Sequence, residues 1–319
     1  MERPVVYNED CVSGALARLS DASVDLIVTD PPYGIEGDRL HRHYNRNERF
    51  VVDGYVEIPR AEYPQFSRAW IAQAERVLRP GGQIYVVSGY TNLYDVLGAL
   101  RSTSLREINH LIWKFNFGVY TSKKFVSSHY HILYFAKPGG SRTFNLQARY
   151  ALDHGSSDGG SMNYRDREDV WLINREYKPG RTKNKNELPH ALIKKMLAYS
   201  SNPGDLVCDF FTGGGSTGVV AVGLNRRFIG FELSKAAYRS ARARIEAAVP
   251  GSMLEAPPLP HVVKNRGKTW TAAEVRRLRE RYRDLHARGG TQAAIVRELC
   301  EEFERGAWAI RKRLRELGG

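Results

Sequence analysis

Two short stretches of this 319-residue sequence carry residue types that could do chemistry. The first is Asp30-Pro31-Pro32-Tyr33, directly after the apolar run Val24–Thr29. An exocyclic amine on a nucleobase is a poor nucleophile, because its lone pair is delocalised into the ring. Two acceptors aimed at its N–H groups pull the nitrogen toward tetrahedral geometry and localise that pair. The Asp30 carboxylate can supply one acceptor. The Pro31 carbonyl can supply the other, since proline fixes the local backbone. Tyr33 offers a ring on which a flipped base can stack. The plainer reading is a Pro-Pro turn after a strand.

The second stretch runs from Asp209 through Gly213, Gly215 and Gly218. Gly213-x-Gly215-x-x-Gly218 fits the dinucleotide fingerprint, between a predicted strand and a predicted helix. Glu232 ends the next strand, about where an acid accepts hydrogen bonds from ribose hydroxyls. No Lys follows the glycines, which disfavours a phosphate-binding P-loop. The plainer reading is a tight glycine turn with no ligand.

The elements that must position these residues are legible as patterns. Residues 24–29 read as a buried strand, and 66–78 as a helix that stops at Arg79-Pro80-Gly81-Gly82. Further strands are predicted at 83–88, 130–135, 205–211 and 227–232, and helices at 216–224 and 234–248. This alternation predicts an α/β fold with a doubly wound, mainly parallel sheet. Residues 36–55 and 139–186 lack periodicity and read as long loops or an insert. Pro250, Pro257, Pro258 and Pro260 mark a linker over 249–268.

Beyond the linker, Thr271 and Glu274 form a capping-box pattern. Val275, Leu278, Tyr282 and Leu285 line one helix face. Thr291 caps a second helix with Ile295, Leu299 and Phe303. A third, over 307–317, carries Trp308, Ile310 and Leu314, and Trp270 is read as core. The prediction is a small all-α module over 269–319, three helices in a helix-turn-helix or Myb-like arrangement, behind a catalytic domain over 1–248.

Composition bounds the function. Hydrophobic residues make up 42% of the chain, enough for a core and too many for a disordered protein. No apolar run reaches the roughly 18 residues of a membrane span, and the N-terminus lacks a signal peptide's apolar stretch. These features predict a cytoplasmic protein without a membrane partner. Three scattered cysteines fit neither a disulfide scaffold nor a zinc cluster, and no metal is expected.

The net charge of +13 points to a polyanion, most simply nucleic acid, or to a merely basic proteome. Residues 261–319 hold 15 Lys+Arg against 8 Asp+Glu, more than half of the surplus. Arg311, Lys312, Arg313 and Arg315 load the last helix. That helix is either a DNA clamp or a solvated face of a dimerising bundle. The basic loop 41–50 either closes over DNA or is an ordinary surface loop; its histidines lack metal spacing.

On these motifs the sequence resembles the S-adenosylmethionine-dependent amino-methyltransferases of DNA bases, over about 1–248. Asp30-Pro31-Pro32-Tyr33 matches that family's catalytic motif. Asp209-Phe210-Phe211-x-Gly213-x-Gly215-Ser216-Thr217 matches its cofactor motif, with Phe210 where relatives usually have Pro. Arg76 to Gly82 and Ile112-Trp113-Lys114 also look like family landmarks. Asn8-Glu9-Asp10-Cys11 resembles the N-terminal segment, which implies that Asp10 and Cys11 face the cofactor's adenine. Lys185-Asn186-Glu187-Leu188-Pro189 resembles the segment that closes over the methionine end. The catalytic motif precedes the cofactor motif, as in the circularly permuted beta class, so 139–182 corresponds to the target-recognition region. One departure is His129-Tyr130-His131, where relatives often have Glu.

The resemblance implies a Rossmann-like methyltransferase sheet and methyl transfer to N6 of adenine in duplex DNA by base flipping. Asp30 would lie against both base and cofactor. Cytosine-N4 is the alternative target, since both are ring amines. Acids rather than Lys or Arg near the glycine turn suit a cationic sulfonium better than a diphosphate. An NAD-dependent oxidoreductase would leave Asp30-Pro31-Pro32-Tyr33 and the basic tail unexplained; a third alternative is an inactive fold that only binds DNA. Expected partners are duplex DNA at the nucleoid, a second copy of the chain and a cognate restriction enzyme.

Overall fold

The computed structural model describes residues 3–32, 58–116, 118, 122–145, 167–175, 187–254, 265, 268–289 and 292–317. The chain forms two compact units, Met1–Leu254 and Glu255–Gly319. No helix among the described residues is long and apolar enough to cross a membrane.

The first unit is built on an eight-stranded sheet among the described residues. Its strands are β1 (Val5–Tyr7), β2 (Val24–Thr29), β3 (Leu78–Ser88), β4 (Arg106–Lys114), β5 (His129–Ala136), β6 (Val170–Leu172), β7 (Leu206–Asp209) and β8 (Arg227–Phe231), in the order β1-β8-β7-β2-β3-β5-β4-β6. All pairings are parallel except those of β5 with β3 and β4. The helices are α1 (Cys11–Arg18), α2 (Tyr63–Val77), α3 (Leu93–Arg101), α4 (His190–Ser200), α5 (Ser216–Gly223) and α6 (Lys235–Glu246).

Both faces of the sheet are covered, which is why Leu26, Ile27 and Val28 of β2 are apolar in succession. Leu26 and Val28 pack with Met196 and Leu197 of α4 and Val220 of α5. Ile27 packs on the other face with Ala15 of α1 and Trp70 and Ala74 of α2.

One expected boundary differs. The helix ends at Val77, as Arg79-Pro80-Gly81-Gly82 predicts, but these four residues lie inside β3, which begins at Leu78 rather than at residue 83. Val24 pairs with Leu78 and Leu26 with Gln83, so the intervening residues bulge from the ladder. Gly81 adopts φ +79 there. Its N–H donates to the Lys137 carbonyl at 2.9 Å, and Lys137 N–H returns a bond to Gly82 at 2.8 Å. A turn-forming sequence has therefore become a bulge held by the end of β5.

The second unit contains α7 (Ala272–Ala287), α8 (Gln292–Phe303) and α9 (Ala307–Glu316). The Thr271–Glu274 capping box is formed. Leu278, Leu285, Ile295, Leu299, Phe303, Ile310 and Leu314 make the core, with Trp270 packed against it. Two residues depart from expectation. Trp308 is 63% exposed rather than packed beside Ile310. Arg305 is buried. Its guanidinium donates to Lys268 O at 2.6 Å and Thr269 O at 3.1 Å, pairs with Glu274 at 3.1 Å and lies 4.2 Å from the Trp270 ring centre. These contacts engage both terminal nitrogens of the buried guanidinium and leave its Nε without a hydrogen bond.

Candidate active site

The sheet changes direction between β2 and β7. From β2 the chain moves to β3 on one side, and from β7 to β8 on the other. Ligands of doubly wound sheets sit outside the carboxyl ends of the strands at such a switch point. Asp30 follows β2, Asp209 ends β7 and Glu232 follows β8. Three neighbouring parallel strands thus deliver three acids to one edge.

Asp209 is buried, and Thr29 Oγ1 donates to its Oδ1 at 2.8 Å. Phe211 N–H donates to the same oxygen at 3.0 Å. Burial pushes the carboxyl up to about 6, against the opposing pull of bonds from Thr29, Phe211 and Thr217. Glu232 is also raised by burial. Its Oε2 accepts from Gly213 N–H and its Oε1 from Ser234 N–H, both at 2.8 Å. Asn8 Nδ2 donates to the Glu232 and Leu233 carbonyls at 2.8 and 3.0 Å. Each Glu232 oxygen has two lone pairs, so the acid is oriented while keeping acceptor capacity for a diol.

Gly213 and Gly215 take left-handed φ values of 51° and 84°, which any side chain would strain. A Cβ at Gly215 would also press on Ala241 of α6 at 3.0 Å from its Cα. Thr212 N–H is held by Phe231 O at 3.0 Å, so the turn is fastened to β8.

The other expected residues fall as follows. Asp10 caps α1, its Oδ1 accepting from Val12 and Ser13 N–H at 3.0 Å each. Cys11 is buried, and burial with the Asp10 charge pushes its thiol well above the usual range, so it packs rather than reacts. Phe210 is a core side chain against Trp70 and Phe231. Phe211 sets its ring edge-on to Trp70, 5.4 Å between centres. Thr217 is buried in the first turn of α5. Tyr33, Lys185 and Asn186 lie outside the described residues, as do loop 41–50 and residues 146–166 and 176–182.

The residues missed in the sequence are those that hold the motifs. Tyr63 is buried, and its hydroxyl donates to Pro32 O at 2.9 Å, anchoring the Pro-Pro turn from α2. Glu187 accepts from Ser216 Oγ and pairs with Arg244, which also donates to Gly214 O. The expectation of no Arg beside the glycine turn is therefore corrected. Arg244 is neutralised by Glu187, so Asp209 and Glu232 still set the sign of the crevice. Only the place of Glu187 within 185–189 hinted at this.

The edge of the sheet beyond β3 is aromatic and imidazole-rich. His131 pairs with Ser88 across the ladder. Its Nδ1 lies 2.8 Å from His110 Nε2. Burial, with His110 and His129 nearby, pushes His131 down to about 4, so this imidazole is neutral at neutral pH. Trp113 Nε1 donates to Ile173 O at 2.7 Å, and Arg175 lies 5.6 Å from its ring centre.

The donor set was tested against a cofactor bearing a ribose diol and a positive centre. Acceptors at Asp209 and Glu232, a left-handed glycine turn and a neutralised Arg244 fit such a group; a diphosphate would meet two carboxylates.

Known proteins agree with this geometry. The N6/N4 DNA methylase family model matches residues 24–243. The type II methyltransferase M.HpaI of Haemophilus parainfluenzae is 30% identical over 244 residues, 74% of this chain and 73% of its own. M2.DpnII of Streptococcus pneumoniae is 28% identical over 236 residues, 73% and 86% of the two chains. Among solved structures, the cytosine-N4-specific PvuII DNA methyltransferase has a TM-score of 0.57 at 14% identity, over 76% and 86% of the two chains. The M1.HpyAVI–SAM complex has a TM-score of 0.52 at 21% identity, over 75% and 98%. These structures share the fold. With a family model spanning both motifs and the switch point between them, the chain belongs to the N6/N4 DNA methylase family and is a DNA amino-methyltransferase.

Proposed function

We propose that the enzyme methylates N6 of adenine in duplex DNA, using S-adenosylmethionine. The observation that carries this reading is the hydrogen bond from Thr29 to Asp209, which holds the catalytic motif beside the cofactor turn. The bound cofactor supplies an electrophilic methyl group on a cationic sulfur. Glu232 holds the ribose diol, and Asp209 supplies negative charge at the turn. Asp30 and the Pro31 carbonyl accept the two N–H groups of the flipped base, and Tyr33 stacks on it. With the cofactor bound, the amino nitrogen would attack the methyl in line as the S–CH3 bond breaks, the electron pair would stay on sulfur as the neutral thioether of S-adenosylhomocysteine, and the proton displaced from nitrogen would leave to water. Alignment and exclusion of water lower the barrier more than acid–base strength does.

Residues 139–182 read the target sequence, and the module over 269–319 holds the duplex through its basic last helix. The type II designation of both relatives supports a cognate restriction nuclease acting on the same DNA in the cytoplasm. Asp at the head of the motif favours adenine over cytosine. Digesting methylated DNA and separating the nucleosides tests this: N6-methyladenine is expected, and N4-methylcytosine as sole product overturns it.

A further inference from the structure

Helix α9 has two faces of different character. Ala307, Ile310, Leu314 and Leu317 join the core of the second unit. Trp308, Arg311, Lys312 and Arg315 follow i, i+3, i+4, i+7 spacing and share a second face. Lys312 Nζ lies 5.1 Å from the centre of the exposed Trp308 ring. The core is complete without that indole, so its 63% exposure leaves a large apolar surface in water.

Ion pairing elsewhere in the unit sharpens the contrast. Glu274 pairs with Arg305, Glu298 with Arg281, and Glu302 with Arg277 and Arg281. Arg313 pairs with Glu316 at 2.8 Å and lies 5.8 Å from the Trp270 ring centre, so it belongs to the core side of the helix. On the second face Lys312 and Arg315 are exposed beside Trp308, while Arg311 is half-buried and engaged.

We propose that this face is a duplex-DNA contact in which Lys312 and Arg315 meet phosphates and Trp308 makes an apolar contact within the groove. It rests on duplex DNA being the substrate. The occupant follows from charge: residues 261–319 carry 15 Lys+Arg against 8 Asp+Glu. The face extends about 10 Å from Trp308 to Arg315, a length that fits a major groove about 12 Å wide. Arg313 leaves the set of contacts, and Trp308 enters it.

Two components of binding separate in one experiment on the full chain. Binding to a labelled duplex is followed by anisotropy across a salt series. The double variant Lys312→Ala/Arg315→Ala lowers the slope of log affinity against log salt by about 1 to 2. Trp308→Ala weakens binding roughly fivefold or more at every salt concentration, with the slope and the melting temperature unchanged. Arg313→Ala leaves the slope as it was. Wild-type binding by Trp308→Ala, or an unchanged slope in the double variant, overturns the proposal. So does sedimentation showing that Trp308→Ala turns a dimer into a monomer, because a second copy then covers the face. Any of these with methyl transfer intact removes this surface and leaves the adenine reading standing; N4-methylcytosine does the reverse.

Discussion

Thr29 donates its hydroxyl hydrogen to Asp209 at 2.8 Å, across a sequence separation of 180. Thr29 is the residue before Asp30, and Asp209 opens the glycine turn. One side-chain hydrogen bond therefore joins the strand end that leads into Asp30-Pro31-Pro32 to the residue that opens the glycine turn.

Thr29→Val keeps the shape and removes the donor. It leaves a buried carboxylate short of one partner, which costs on the order of 1–3 kcal/mol. We expect S-adenosylhomocysteine affinity and kcat to fall together, roughly tenfold each. Calorimetry alongside single-turnover methylation reads both. A change in only one of them would show that the bond does not couple the motifs.

Asp209 gives a pH signature. Its folded pKa of about 6 lies above the ordinary 3.8. The resulting stability is fully present below about 3.8 and is lost as pH rises through about 6. The ionised form at neutral pH thus carries a cost of about 3 kcal/mol. Asp209→Asn keeps an acceptor for Thr29 and Phe211 without that cost. Its melting temperature should gain on the native enzyme between about pH 4 and 6.5 while cofactor binding weakens. An equal gap at both ends of that range would count against a buried, ionising carboxylate.

Tyr63→Phe removes the hydroxyl that donates to Pro32 and keeps the ring in the core. The carbonyl left behind costs about 1–3 kcal/mol. The expected effect is a lower kcat with cofactor affinity unchanged, since the lost bond is made to the Pro-Pro turn and not to the glycine turn. Loss of cofactor binding in a folded Tyr63→Phe would refute the separation.

Arg244 and Glu187 fasten residues 187–189 and the glycine turn to α6. Arg244→Leu should weaken S-adenosylhomocysteine binding several-fold. Glu187→Gln added to it should cost little more, because the pair is already broken. Additive losses in that double-mutant cycle would mean the two residues act independently.

What the sequence made legible was local. β2 is mostly apolar, with Leu26, Ile27 and Val28 in succession, and the glycine turn follows a strand, so both motifs were placed from their own neighbours. Pairing chosen by tertiary contact was not legible. Arg79-Pro80-Gly81-Gly82 has the composition of a stop, yet Lys137 holds it as a bulge. Arg244 reaches Gly214 from the following helix, a contact that depends on how α6 packs. Trp308 stands outside the core it was expected to join, while Arg305 is buried beside Glu274 and the Trp270 ring, contacts that depend on how the three helices pack.

The neighbouring of β2 and β7 also sets an order of assembly. The first strand of the catalytic crevice is made early in the chain, but its partner at Leu206–Asp209 is about two-thirds of the way along. Long-range parallel pairing is slow, because loop closure must be completed before the contact forms. During synthesis, Asp30 therefore emerges long before the half-site it needs. The nascent chain has no competent centre until β7 has docked, so catalysis begins only when most of the first unit has folded.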